Sequence, residues 1–441
     1  MEGCSRSFNH YFNLTLPKIF FLDPMRSILI APGSVTATFL APVEGLIPAC
    51  ENLRSCPELP DPAWIGFGIE RVLLELPSGR AFLQEHAFAH PHCPPRENYF
   101  ASLRSPRRLA LAQELNRRLC SQAVDTLPDA LAIYPELEEF DLYAGDGHWH
   151  GAAAHDARID ETKWAVGHFY ALDLRRHTLR HLGVGLGKKE HDMHVLKRLD
   201  ADALRQHAPK GRKVLYVWDK AGIDFHAWHR WKQSSGLYFL SLEKENMKLR
   251  IQGLPNWDRT DPVNAGIQSV ELVAGLAGVM IRRIHYVEPV EGTEYHFITN
   301  ELNLRPGLVA FLYKLRWDVE KVFDVLKNKL NERQAWASTD TAKSVQAQLI
   351  CLVHNLIQFL EEKLRREGIE NQAEILRRQK VLALMQAAAV AANRSIPACV
   401  LALQRLTQCS VKLLRWLRSA LRDRLDWKAA TPRLRTLYAT L

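Results

Sequence analysis

Residues 140–146 read FDLYAGD, and residues 213–219 read KVLYVWD. Each is a short apolar run of β type that ends on an aspartate, and a glycine follows each aspartate within three residues: Gly147 after Asp146, Gly222 after Asp219. A glycine at that place lets the backbone open toward a ligand where a strand ends. Close behind the first run lie AVGHFYALDL (165–174) and HTLRHLGVG (177–185), spaced as hairpin neighbours are. A helical stretch at 191–207 leads into the second run. After it come a short helix rich in His and Trp at 224–233 and a further β run, LYFLSLE, at 237–243.

Three hairpin-linked strands, a helix, a strand, a helix and a strand is the order expected of a ribonuclease-H-like α/β core. In that core the first and fourth strands are neighbours, so Asp146 and Asp219 are expected side by side. Between about 246 and 302 the texture stays β-rich (MKLRIQG, SVELVAG, GVMIRRIHYV, EYHFITN) with no helical period, which reads as an insertion after the core's last strand. Residues 1–135 read as a mixed, largely helical module with a basic stretch at 104–118, suited to binding DNA. Residues 341–441 read as helical. The expected division is therefore 1–135, a catalytic domain at 136–340, and a basic C-terminal region at 341–441 for DNA contact or dimerisation.

The other decisive stretch is YKLRWDVEKVFDVLK at 313–327. Tyr313, Arg316, Glu320 and Lys327 stand at offsets of three, seven and fourteen, which on a helix gathers them within an arc of about 60°. Leu315, Val319, Val322, Phe323, Leu326 and Leu330 take the adjoining arc and would bury it. Spacing alone fits a solvated charged face as well as a functional one. Two aspartates upstream tip the reading, because Glu320 would give them a third carboxylate. Three converging carboxylates repel one another unless cations sit among them, and an all-oxygen donor set favours Mg²⁺ or Mn²⁺ over zinc. Two such ions can activate a hydroxyl on one side of a phosphodiester and stabilise the departing oxygen on the other.

Charge points the same way. The net charge is +9. Residues 341–441 carry 17 Lys and Arg against 7 Asp and Glu, so the whole excess lies there. A local surplus of this kind suits a polyanion, nucleic acid first, and Arg415, Arg418, Arg422 and Arg424 are its expected phosphate contacts. The eight cysteines (4, 50, 56, 93, 120, 351, 399, 409) form no CxxC pair and read as free thiols of a reducing compartment. No apolar run is long enough to span a bilayer, and the stretch from Met25 is a poor signal peptide, so a cytoplasmic, nucleoid-associated location is expected.

Asp146, Asp219 and the Tyr313, Arg316, Glu320, Lys327 signature together resemble the DDE transposases of bacterial insertion sequences, in the group with a Y-R-E-K motif and a β-rich insertion before the last acidic residue. The resemblance spans about 138–340 and is closest over ITNELNLRPGLVAFLYKLRWDVEKVFDVLK (298–327). It implies that Asp146, Asp219 and Glu320 are catalytic and hold the metals, two ions in the family's usual manner, and that Tyr313, Arg316 and Lys327 grip phosphates at the cleaved end. It also implies double-stranded DNA substrates, namely terminal inverted repeats and a target, and a homodimer in the synaptic complex. Trp257 would be the insertion's aromatic for a flipped base, although a packing role reads better. His148, His150 and His155 depart from the family pattern and are expected near the strand end beside the metals or DNA. GVGLGKKE (183–190) lacks the Walker spacing and reads as a turn; His90, His92 and Cys93 read as a Pro-rich loop. A repurposed DNA-binding protein without activity, or a nuclease or resolvase on the same core, are the alternative readings.

Overall fold

The apolar runs singled out above become strands of one large sheet. The structure, a computed structural model, describes residues 33–47, 59–89 apart from 75 and 77, 93–153, 166–185, 190–275 apart from 191, 200 and 221, 278–330, 333–402 and 411–439. His155, His90, His92 and most of the glycine-rich turn after Gly185 lie outside them.

The helices before the sheet are α1 (Val35–Glu44), α2 (Asp61–Leu73), α3 (Gly79–Ala89), α4 (Arg96–Ser102) and α5 (Pro106–Thr126). Next come β1 (Phe140–His150), β2 (Val166–Asp173) and β3 (Leu179–Val184), then α6 (Asp192–Arg198), α7 (Ala201–Arg205) and β4 (Lys213–Val217). They are followed by α8 (Phe225–Ser235), β5 (Leu237–Leu242), β6 (Arg250–Gly253), β7 (Ile267–Ala274), β8 (Met280–Val287) and β9 (Glu294–Thr299). Among the described residues six helices follow: α9 (Pro306–Lys329), α10 (Asp340–Arg366), α11 (Gln372–Ala391), α12 (Ala398–Ala402), α13 (Val411–Arg422) and α14 (Trp427–Ala439).

The described strands form a mixed nine-stranded sheet in the order β3-β2-β1-β4-β5-β9-β8-β7-β6. Its first five follow the order expected of a ribonuclease-H-like core, with β3, β2 and β1 antiparallel and β4 and β5 parallel to β1. Strands β6–β9 make no layer of their own. They continue the same sheet from β5 through the β5–β9 pairing.

Side chains alternate between two cores, as strand period requires. Phe140, Leu142 and Ala144 of β1 join Leu215, Val217, Ile284, Phe297 and the buried stripe of α9 on one face. Tyr143, Tyr216, Trp218, Phe239 and Trp228 pack together on the other. The six residues expected to bury α9 are all buried, each stabilising by about 1.5–3 kcal/mol.

The start of α9 is positioned by interactions that no periodicity reveals. A Cβ on Gly307 would fall 1.9 Å from the Val263 carbonyl oxygen, so only glycine allows this approach. The Gly307 N–H donates to Asn264 Oδ1 at 2.9 Å, and Arg305 pairs with Glu136 and with Asp261. Helix α10 closes the far edge: Leu179 N–H of β3 donates to Asn355 Oδ1 at 2.7 Å, and Asn355 Nδ2 donates back to Leu179 O at 3.1 Å. On the same face of α10 Asn116 of α5 donates to Gln348 O and Oε1 at 2.8 and 2.7 Å. The first residues of the C-terminal region thus pack on the N-terminal helices as well as on the sheet.

Candidate active site

Strand β1 keeps pairing with β2 as far as His150, with Asp146 opposite Tyr170, but its pairing with β4 stops at Ala144 and Val217. Asp146 and Asp219 each lie two residues beyond that last pair, on the face covered by α9. Asp146 is therefore within an 11-residue strand rather than at its end, and what opens the backbone beside it is the end of β4. Trp218 explains Gly145: a Cβ there would meet the indole at 2.3 Å, so the buried ring lies flat against β1 directly behind the site.

The carboxylate of Asp146 accepts the Gly147 N–H at Oδ1, 2.8 Å, and Arg316 Nη1 at Oδ2, 3.3 Å. The same guanidinium donates through Nη2 to Glu320 Oε1 at 2.9 Å. Arg316 thus stands between two of the three carboxylates and ties α9 to β1. At Asp219 the main chain is held by Ser241, whose hydroxyl donates to the Asp219 carbonyl at 2.7 Å. Burial first, and then the negative charge of Asp219 and Glu320, push the pKa of the Tyr313 phenol up against the opposing pull of Arg316. The three carboxylates do not all lie within 4.8 Å of one another among the described residues.

The signature residues divide by environment. Arg316 is almost fully buried, its side chain 6 % exposed against 19 % for Asp146 and 39 % for Glu320. Burial lowers its pKa, but Tyr313, Asp146 and Glu320 outweigh this and raise it, so the cation is secure. Tyr313 is buried against Phe297, ring centroids 5.0 Å apart, with the Arg316 guanidinium 5.6 Å from its own ring. Lys327 is exposed two turns beyond Glu320. The polar arc read from spacing therefore runs from a buried phenol through a buried cation to an exposed one. Three carboxylates and no thiol form a hard donor set that fits a divalent cation such as Mg²⁺ or Mn²⁺.

Of the histidines beside Asp146, His148 and His150 stand at the end of β1 as expected, but they are buried rather than open to a ligand. His148 and His150 belong to β1 and are buried under α9, His148 with its ring 5.0 Å from Phe323. His150 stacks on His168 of β2 at 4.8 Å, and His168 Nδ1 lies 3.2 Å from His181 Nε2. Nothing in the sequence marks His168 and His181 as their neighbours, because the register of β2 and β3 against β1 is a tertiary fact. Burial, above all, lowers the pKa of each of His150, His168 and His181, the last to about 4.

The basic stretches are partly spent on internal pairing. Arg107 and Arg108 bind Asp61, and Arg117 and Arg118 bind Glu114. Arg418 donates to the carbonyls of Leu73 and Lys329, so it stitches α13 to α2 and to the end of α9. Arg415, Arg422 and Arg424 are exposed. Trp257 is half-buried against the main core, with Arg259 5.2 Å from its ring.

A large mixed sheet flanked by helices, with β1, β4 and β5 parallel and β3, β2 and β1 antiparallel, is the arrangement of a ribonuclease-H-like fold. Residues 158–356 match the family model of the transposase DDE domain, a range that includes Asp219 and Glu320 and begins just after β1. Over that range the chain is similar to DDE transposase domains. Comparison with curated proteins returned no match. Among the described residues no helix is long and apolar enough to cross a membrane.

Proposed function

We propose that this protein cuts the ends of a DNA element and joins them to a target, with Asp146, Asp219 and Glu320 as the catalytic carboxylates. The observation that carries this reading is the Arg316 bridge between Asp146 and Glu320, which brings the helix carboxylate to the strand carboxylate at the end of β4. Strands β6–β9 are read as the insertion of the Y-R-E-K group, and Asp146, Asp219 and Glu320 as ligands of two Mg²⁺ or Mn²⁺ ions. When bound, such ions activate a hydroxyl nucleophile and stabilise the departing 3′-oxygen.

The chain's own residues do the rest. The Gly147 N–H and the Ser241 hydroxyl keep Asp146 and the Asp219 backbone in place before a ligand arrives. Arg316 serves as internal counter-ion to the carboxylates and, with cations present, turns part of its fork to a phosphate oxygen. Lys327 neutralises a phosphate further along the strand, and the Tyr313 hydroxyl, near Arg316, donates to the scissile end. Water attack then frees a 3′-hydroxyl, whose attack on a target phosphodiester exchanges one ester bond for another. Two ends must be processed together, so a homodimer on paired inverted repeats is the working assembly.

DNA contact is assigned to both flanks, the module at 1–135 and the region at 341–441. On the N-terminal side, Arg80, Arg96, Arg104 and Arg333 line a groove of about 1160 Å³ whose wall is Arg71 stacked 3.9 Å from the Trp336 ring. Among the described residues one acidic side chain, Glu97, lines it. On the C-terminal side Arg415, Arg422 and Arg424 are exposed. Incubation with Mg²⁺, labelled element ends and a supercoiled target should give nicked ends and joined products. Cleavage that persists in both Asp146→Asn and Glu320→Gln would overturn the assignment, and cleavage without joining would make the protein a nuclease.

A further inference from the structure

Strands β8 and β9 place two histidines directly opposite one another, His285 and His296, with ring centroids 4.5 Å apart and ring planes 13° from parallel. Glu294 stands two residues before His296 and so shares its face. Its Oε2 lies 3.1 Å from His285 Nε2. One ligand atom from each of the three falls within 4.8 Å of the other two, and among the described residues no other three His, Cys, Asp or Glu side chains are gathered so closely.

This face is turned away from α9. Ile281 and Ile298 on it belong to the second core, and further along the strands the burial gives way to polar groups. The neighbouring acids are already committed, since Arg283 pairs with Glu271 at 2.5 Å and with Glu243 at 3.3 Å. The three ligands therefore stand at the open end of the sheet with water able to complete a coordination sphere. Two imidazoles and one carboxylate on facing strands form a chelate whose donors suit zinc and its neighbours, whereas the hard oxygen set beside α9 suits Mg²⁺.

We propose that His285, Glu294 and His296 bind one transition-metal ion of the zinc class and thereby staple β8 to β9. The observation that carries it is the cross-strand His285–His296 pair with Glu294 at hydrogen-bond distance. The opposing groups nearest the pair are Glu294 and Glu243, and both favour a cation. The site is separate from the three carboxylates and does not rest on their role.

The test is a zinc titration of the full-length protein by calorimetry with excess Mg²⁺ present, which occupies the hard site. One equivalent of Zn²⁺ is expected to bind and to raise the melting temperature. His285→Ala and His296→Ala should each weaken that binding at least about tenfold, the lower end of what even an outer-shell partner is worth. His229→Ala, an exposed histidine on α8, should leave it unchanged. Circular dichroism of each variant checks the fold, which these partly exposed positions should not disturb. Co²⁺ in place of Zn²⁺ should give visible bands of nitrogen and oxygen ligation. Unaltered affinity in the His285→Ala/His296→Ala double variant, or an intense thiolate charge-transfer band in the Co²⁺ form, would overturn the proposal.

Discussion

Two groups of side chains lie along the α9 face of β1, one of carboxylates held by an arginine and one of buried imidazoles. Asp146 and Glu320 share Arg316 where β4 has ended and the sheet opens; His148 and His150 lie a few residues on, covered by α9 and flanked by β2. The same strand and the same helix thus build an Arg-bridged carboxylate site and a row of buried histidines. What differs is the neighbouring strand. Where β4 stops, the carboxylates keep a buried cation and access to solvent; where β2 continues and the helix covers, burial lowers the pKa of His150.

The largest effect that would break this contrast concerns activity. Asp146→Asn should lower DNA-end cleavage more than about 10²-fold, beyond the 10–100-fold that outer-shell partners of a metal are typically worth. His150→Gln, four residues along the same strand, should leave cleavage within a few-fold. Equal loss in both, measured on a labelled end in Mg²⁺, would erase the distinction.

The second test is acid. A buried histidine whose folded pKa lies below the unfolded value of 6.5 takes up its proton more readily when the chain unfolds. Its contribution is complete above about pH 6.5 and is lost as pH falls toward the folded pKa. For His181, held near 4, the loss amounts to about 3 kcal/mol. His354, also lowered to about 4 mainly by burial, adds to the same slope. Urea unfolding between pH 7 and pH 4 should show this loss, and His181→Asn should flatten it; a slope unchanged in that variant would mean that the buried His181 does not set acid stability.

A smaller effect attends Arg316. Arg316→Met leaves Asp146 and Glu320 without their shared donor and should cost about 1–3 kcal/mol of stability. Divalent cation should then raise the melting temperature more than in the parent protein, since it restores positive charge among the carboxylates. Equal shifts would mean that Arg316 and the cation do not occupy the same electrostatic place. Last, neutralising Arg415, Arg422 and Arg424 together to Gln should reduce the salt slope of DNA binding by about 0.9 for each phosphate no longer neutralised. Adding Arg418→Gln should alter stability more than that slope, because Arg418 caps carbonyls of Leu73 and Lys329.

Much of this arrangement is legible along the chain. The apolar runs before Asp146 and Asp219 form β1 and β4, and the 313–327 stretch forms a helix whose apolar stripe is buried as its period requires. Two points differ for one physical reason. The sequence puts Asp146 at a strand end, although the strand runs on to His150, because a sequence shows where a strand's own texture changes and not where its neighbour stops. It also groups Arg418 with the phosphate-binding arginines, because charge is visible in a sequence and a carbonyl partner hundreds of residues away is not.

The sequence by itself determined the order of elements, the two aspartates that follow apolar runs, and the helical spacing that aligns Arg316 with Glu320, since each is a matter of local period and residue type. The tertiary structure decided which of the charged groups meet. It ended β4 beside Asp146, laid Trp218 against Gly145, pressed α9 onto β1 until Arg316 reached both carboxylates, and set His285 opposite His296. Those outcomes depend on register and on packing between distant segments, and neither is written in the spacing of residues along one chain.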